Sequence, residues 1–402
     1  MRLSGRLPWS GETASPLLSL REEREREGKP VLSLVSTDPT SAELGLPWDE
    51  IAAPLGDASL WKSYRPDPHG TPAARRALSA FYRKWGEEID PERIFLSAST
   101  SELYSWLFQT LCDPGDAVLV PEPGYPLFEE IAALAAVKTV PAPLAPRSEG
   151  GCLKRWACDF AAWSAALRVS RGAARAVVVV APHNPTGAAP SASEWIRIAE
   201  FCRANGLVLV VDEVFRLLAD GGEKPACDWG SLGIPVAVLS GLSKWLAGPQ
   251  LKLSWMRLYG PEDDLRAWND ALEHAADACL NVGGPAQASL GTWLELVPRA
   301  SALLKSRVER NREAFLATFG PLFPKVRIMS EPAGWYALLR VDGADEEELT
   351  LRLLGETGLF VHPGFFYDFD EEGVLVLSLV GEEREFARRA GLLRDWLAKH
   401  YF

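Results

Sequence analysis

The spacing of apolar and polar positions along this 402-residue chain changes several times, and each change predicts an element. From about residue 93, short runs that are apolar at nearly every position alternate with stretches of helical spacing. "RIFLSA", "AVLVPEPGYP", "AVVVVAPHNPTG", "LVLVVDEV" and "VAVLS" read as strands, each running into a turn or loop. "STSELYSWLFQTLCDPGD" and "LFEEIAALAA" read as helices. A third helix opens at Ser191, where Glu194 completes a capping-box pattern, and stops near Gly206. A strand apolar on both of its sides is covered on both faces. This region therefore predicts an α/β unit whose central, mostly parallel sheet is sandwiched by helices.

The flanks read differently. "PLLSLREEREREGKPVLSL" predicts a charged, solvated helix stopped by Gly28 and followed by an extended segment. "GTPAARRALSAFYRKWG" predicts a helix with Thr71 as N-cap ahead of Pro72. After about residue 290, a long helical stretch, "SALLKSRVERNREAFLATF", leads to "KVRIMSEPAGWYALLRV", a further helix, "LFVHPG" and the strand "GVLVLSLV". Helices with mixed strands predict a smaller α+β domain. The expected division is an N-terminal segment, 1–55, packing with the small domain, a large domain, 56–290, and a small C-terminal domain, 291–402.

Composition narrows the function classes. A net charge of −12 argues against nucleic acid as the main partner, because neutralising phosphates needs a basic surface. No apolar run approaches the roughly 20 residues of a membrane span, and the N-terminus carries no apolar core of a signal peptide. The six cysteines are scattered without CxxC pairing, which reads as reduced thiols in a cytoplasmic protein. With five histidines and no HExxH arrangement, no metal site is expected.

The chemistry sits just past the strands, where open α/β sheets bind their ligands. Ser99, Thr100 and Ser101 follow "IFLS" and open a helix, a place where free N–H groups and hydroxyls can hold a phosphate. Asn184 follows "AVVVVAPH", Asp212 ends "LVLVV", and Lys244 follows "VAVLSGLS". Each feature alone is an ordinary cap or turn residue. Together they meet the needs of pyridoxal phosphate: an amine for its aldehyde, a carboxylate for its ring nitrogen, a donor for its ring oxygen and a cradle for its phosphate. A lysine at the end of a buried strand would then be stored in bonded form, which offsets its burial.

In these motifs the chain resembles the class I/II aminotransferases of fold type I, the aspartate-aminotransferase-like group. The likeness runs from about Tyr64 to the C-terminus and is densest in "STSELYSWLFQTLCDPGDAVLVPEPGYP", "HNPTG", "VDEV" and "SGLSK…QLKLSW". It implies pyridoxal 5'-phosphate as cofactor, with Lys244 as the Schiff-base lysine and proton carrier and Asp212 as partner of the ring nitrogen. Asn184 matches the donor to the ring oxygen, Tyr125 the aromatic stacked on the ring, and Ser99, Thr100 and Ser101 the phosphate loop. The resemblance also implies a homodimer with shared active sites, in which Tyr64 reaches the neighbouring subunit's phosphate.

Three departures stand beside these matches. Lys252 replaces a phosphate-binding arginine, keeping the charge but not the two-pronged geometry. Phe215 replaces a tyrosine that donates to the ring oxygen. Val376 in "VLVLS" stands where the resemblance places the arginine that clamps a substrate carboxylate. Arg65, His69, Arg340 and Lys252 are the cations offered by position as substitutes. The expected function is transfer of an amino group from an amine or amino-acid donor to a keto acceptor. The alternative is a lyase on the same fold, eliminating or decarboxylating, whose case rests on Val376. A cofactor-sensing regulator is a third reading, but the segment before Tyr64 is too short and acidic for a DNA-binding domain.

Overall fold

The computed structural model describes residues 4–6, 15–62, 64, 66–149, 152–280 and 282–402. Its centre is an eight-stranded sheet. In spatial order the strands are Ile94–Ser97, Ser254–Tyr259, Val236–Gly241, Val208–Asp212, Ala174–Val180, Ala117–Glu122, Lys138–Glu149 and Cys152–Cys158. The middle pairings are parallel, as the apolar runs predict. Two strands are exceptions: Ser254–Tyr259 lies antiparallel between Ile94–Ser97 and Val236–Gly241, and Cys152–Cys158 pairs antiparallel with Lys138–Glu149 at the far side.

Alternate residues of each strand feed two separate cores. Val177, Val179, Leu209, Val211, Val236 and Val238 pack on one face with the helices Pro72–Lys84, Ala192–Asn205 and Gly284–Phe319. Val178, Val180, Val210, Ala237 and Leu239 pack on the other with Thr100–Leu111, Leu127–Leu134 and Glu262–Cys279. Seven of the fifteen tryptophans are consumed here: Trp106, Trp163, Trp195, Trp229, Trp245, Trp255 and Trp293 are all sealed from solvent.

A second sheet is four-stranded and antiparallel, in the order Val326–Ile328, Tyr336–Val341, Val374–Ser378, His362–Pro363. The helix Pro16–Arg26 inserts Leu17 against Leu354 and Phe360 beside this sheet, and Leu32–Ser33 pairs in parallel with Leu359–Phe360. The 36-residue helix Gly284–Phe319 runs unbroken through position 290, where the sequence reading starts its second unit. Local signals hold in detail. Thr71 caps its helix, Ser191 and Glu194 close a capping box, and Gly206 ends that helix in the left-handed region at φ +63°. Among the described residues no helix is long and apolar enough to cross a membrane.

Candidate active site

The strand directions explain why the chemistry converges. Ile94–Ser97, Ala174–Val180, Val208–Asp212 and Val236–Gly241 all end at one edge of the large sheet, and the antiparallel Ser254–Tyr259 begins there. The parallel Ala117–Glu122 ends there as well, so that edge gathers residues following five strands and residues at the start of a sixth. They line a cavity of about 330 Å3. Every expected site residue except Tyr64 lies in its wall: Ser99, Thr100, Ser101, Tyr125, Asn184, Asp212, Phe215, Lys244 and Lys252. Tyr64 is 79% exposed and contributes nothing to the cavity of its own chain.

At one side of the cavity, Thr100 opens the 12-residue helix Thr100–Leu111 and Ser99 caps it by accepting from the Glu102 N–H. The cap uses one of the free N–H groups and leaves a positive helix end facing the cavity. Ser243, Ser254 and Lys252 line the same space. Lys252 is not on a strand. It follows the short turn Pro249–Leu251 in the left-handed region at φ +49°, and the strand starts at Ser254. Gly241 is required opposite, because a Cβ there would collide with Ser254 Oγ.

Asp212 and Lys244 share the interior. Asp212 is 7% exposed; it accepts from Tyr104 Oη at 2.9 Å and from the Val214 N–H at 3.0 Å. Burial nevertheless pushes its pKa up to about 6, since the two hydrogen bonds and the Lys244 charge only partly compensate. Burial pulls Lys244 down to about 8, against the attraction of Asp212 and helped by the charge of Lys252. Its Nζ lies 4.0 Å from the centre of the Trp335 ring and 5.7 Å from that of Phe215. A partly deprotonated amine beside a carboxylate that lacks a strong cationic partner is a reactive pair.

The "HNPTG" loop performs two tasks. Asn184 enters the cavity with its Oδ1 buried and without a partner. Gly187 lies at φ +77°, where a Cβ would sit 2.5 Å from the Ala333 carbonyl oxygen. Thr186 accepts from the Glu331 N–H at 2.8 Å. The loop is thus clamped onto the segment that delivers Trp335 and Tyr336 to the cavity. His183 is structural: burial drives its pKa down to about 3, and Nδ1 pairs with Thr186 Oγ1 at 2.9 Å.

Several members were invisible in the sequence. Thr37, Tyr104, Ser243, Ser254, Trp335 and Tyr336 all line the cavity. Tyr104 stands one turn beyond Thr100, the spacing that turns a side chain back toward the helix start, and this was the one readable signal. The substitutes offered for a carboxylate clamp mostly fail. Arg65 lies outside the described residues. His69 stacks on Phe95 at 4.0 Å, and Arg340 faces Asp342 at 3.9 Å; neither lines the cavity. Only Lys252 does. Val376 is fully buried in an apolar cluster with Trp156, Leu338, Met329 and Phe369 and does not line the cavity either.

These residues fit pyridoxal phosphate. The under-compensated Asp212 carboxylate, the depressed Lys244 amine and the hydroxyl-lined helix end each lack a partner that one such molecule supplies, and the Asn184 amide lines the same cavity. A prediction follows for protein freed of it. The Lys244 pKa falls from 10.5 to about 8 on folding, so its cost to stability is complete below pH 8 and is relieved as pH rises from 8 to 10.5. Lys244→Met is expected to stabilise cofactor-free protein at pH 7 by up to about 3 kcal/mol, with the gain vanishing toward pH 10.5. Urea unfolding at the two pH values checks it, and a variant less stable than wild type at pH 7 would contradict the assigned environment.

Comparison with known proteins converges on one family. The family model described as aminotransferase class I and II matches residues 46–384. The arginine–pyruvate transaminase AruH of Pseudomonas aeruginosa is 28% identical over 378 residues, 92% of this chain and 91% of that one. The glutamate-pyruvate aminotransferase AlaA of Escherichia coli is 27% identical over 286 residues, 69% of this chain and 67% of that one. Among solved structures, an alanine aminotransferase from Pyrococcus furiosus superposes with a TM-score of 0.84 at 21% identity, covering 98% of this chain and all of that one. The fold at the sheet edge and a match spanning most of the chain lead to the same place: this chain belongs to the class I and II aminotransferase family.

Proposed function

We propose that the chain moves an amino group between a donor and a keto acceptor using pyridoxal 5'-phosphate held at this sheet edge. The observation that carries the reading is the Lys244–Asp212 pair, a half-buried amine and a buried carboxylate lining one cavity, with both pKa values displaced toward neutrality. When bound, the cofactor supplies an aldehyde that condenses with amines and a ring that accepts the electron pair released at the donor's carbon. Ser99, Thr100, Ser101, Ser243, Ser254 and Lys252 would hold its phosphate, by hydroxyls, a helix N-terminus and one charge. Asp212, steadied by Tyr104, would keep the ring nitrogen protonated, Asn184 would donate to the ring oxygen, and Tyr125 and Phe215 would flank the ring. The Lys244 amine would take up and return the proton of the donor's Cα, and its depressed pKa would leave it able to do both near neutral pH.

AruH and AlaA are both named for the transfer of an amino group, which supports transfer as the outcome. The same names weaken the lyase alternative. We further propose a cytoplasmic homodimer in which the exposed Tyr64 serves the partner's site. Borohydride reduction of the loaded protein, followed by peptide mass mapping, tests the core of the reading. A pyridoxyl group is expected on Lys244; folded, cofactor-supplied protein with no adduct on that peptide would end it.

A further inference from the structure

Charge is distributed unevenly around the cavity. Its charged lining residues, among those described, are Lys244, Lys252 and Asp212. Lys244 Nζ lies against Phe215 and Trp335, and Thr37, Tyr125, Phe128 and Tyr336 line the same cavity; none of these carries a charge at neutral pH. The layer behind is of the same kind. Tyr336 packs against a cluster of Leu338, Met329, Val376 and Phe369, and its hydroxyl lies within reach of Thr37 and Tyr367. His362, which pairs with Val376 across the sheet, is held neutral by burial, with its pKa down near 4.

With the roles proposed above, both cations are already committed, Lys252 to the phosphate and Lys244 to the aldehyde. A phosphate dianion and Asp212 leave the cavity with an excess of negative charge. A substrate carboxylate entering the neutral wall would be desolvated without a cation from this chain's described lining and would feel that negative field. An ammonium meets the opposite situation. The Trp335 face already accommodates one, that of Lys244 at 4.0 Å, and aromatic faces attract cations whatever molecule bears them.

We propose, resting on the function argued above, that this pocket selects its amino donor by the ammonium and an uncharged carbon skeleton, with Trp335 as the ammonium contact, so that simple primary amines serve at least as well as α-amino acids of the same skeleton. The exchange balances without an outside oxidant. An amine R–CH2–NH3+ and a ketone R′–CO–R″ give the aldehyde R–CHO and the amine R′–CH(NH3+)–R″. The donor loses its C–N bond and gains C=O, the acceptor does the reverse, and two electrons travel with the amino group.

The test uses cofactor-loaded protein and matched pairs: L-phenylalanine with 2-phenylethylamine, L-leucine with 3-methylbutylamine, and L-alanine with ethylamine. Single-turnover loss of the loaded protein's visible absorption is followed, with mass-spectrometric detection of the aldehyde or keto acid. In at least one pair the amine is expected to match or exceed the amino acid in rate per unit concentration. Trp335→Leu should raise the half-saturating amine concentration about tenfold or more, and Trp335→Phe should recover most of that loss. The proposal is overturned if every amino acid outruns its amine, if no member of any pair reacts, or if Trp335→Leu leaves half-saturation unchanged. Protein that never acquires the visible absorption would instead overturn the cofactor reading, and this proposal with it.

Discussion

Replacing Lys244 by alanine is expected to lower kcat by at least about 10^4-fold while leaving the fold intact. The size follows from two roles vested in one atom. Positioned acid–base catalysis contributes about 10^2–10^4-fold by itself, and loss of the nucleophile removes the covalent route as well. Effects at a residue with both roles are not recovered from neighbours: Lys252 is committed to an exposed turn, and Asp212 has the wrong charge to replace an amine. Lys244→Arg should fare no better, because a guanidinium stays protonated and cannot take a proton from carbon. Asp212→Asn should be less severe, since it leaves the Lys244 amine in place, although only one of the two donors, the Val214 N–H on Oδ1 or Tyr104 Oη on Oδ2, keeps an oxygen to donate to. The control is unfolding by urea, in which Lys244→Ala should be no less stable than wild type, because it removes a desolvated amine. Activity within tenfold of wild type would mean that another residue carries the chemistry.

The parts of this site that the sequence exposed are those set by local rules. A polar residue immediately after an apolar run lies at a strand end whichever strands are neighbours, which is why Asn184, Asp212 and Lys244 could be placed together. Ser99 and Ser191 announced their helices because capping requires a short oxygen side chain at that position. Residues whose place depends on pairing stayed hidden. Ser254 reaches the cavity only because its strand runs antiparallel and sets it opposite Gly241. Trp335 and Tyr336 arrive from the second sheet, by contact with the "HNPTG" loop. The strand Lys138–Glu149 was missed for a related reason. Pro141, Pro143 and Pro146 argue against a strand, yet this one pairs with Ala117–Glu122 over its first half and with Cys152–Cys158 over its second. Each half is therefore an edge, where a missing N–H is tolerated.

Loss of Arg257 is expected to have the largest effect on stability of any single change at this edge. Arg257 is fully buried, and the atoms around it form a closed ionic cluster that left no signal in the order of residues. Its guanidinium bonds Glu87 and Glu213, donates to Tyr259 Oη at 3.1 Å and lies 3.8 Å over the Tyr82 ring. Arg216 completes the cluster, 3.2 Å from Glu87 and 3.3 Å from Glu213, and Ser240 Oγ donates to Glu213 at 2.9 Å. Two cations and two carboxylates cancel, so the group is tolerable only while whole. Arg257→Met leaves one carboxylate buried without compensation, which costs about 3–5 kcal/mol. The pH dependence has a definite sign. Burial already raises the Glu213 pKa, and removal of a cation raises it further above its unfolded value. The folded variant then binds more protons than the unfolded chain, so the loss should be smaller at pH 5 than at pH 8. Removing the opposing charge as well, in Arg257→Met with Glu213→Gln, should recover part of the deficit. The cluster also bears on the reaction, because Glu213 follows Asp212 in the chain and Ser240 lies four residues before Lys244; it ties together the two strand ends that carry the reactive pair. Arg257→Met should therefore lose activity at temperatures where it remains folded. A deficit under about 1 kcal/mol in urea unfolding, equal at both pH values, would show that these charges are not coupled as the geometry requires.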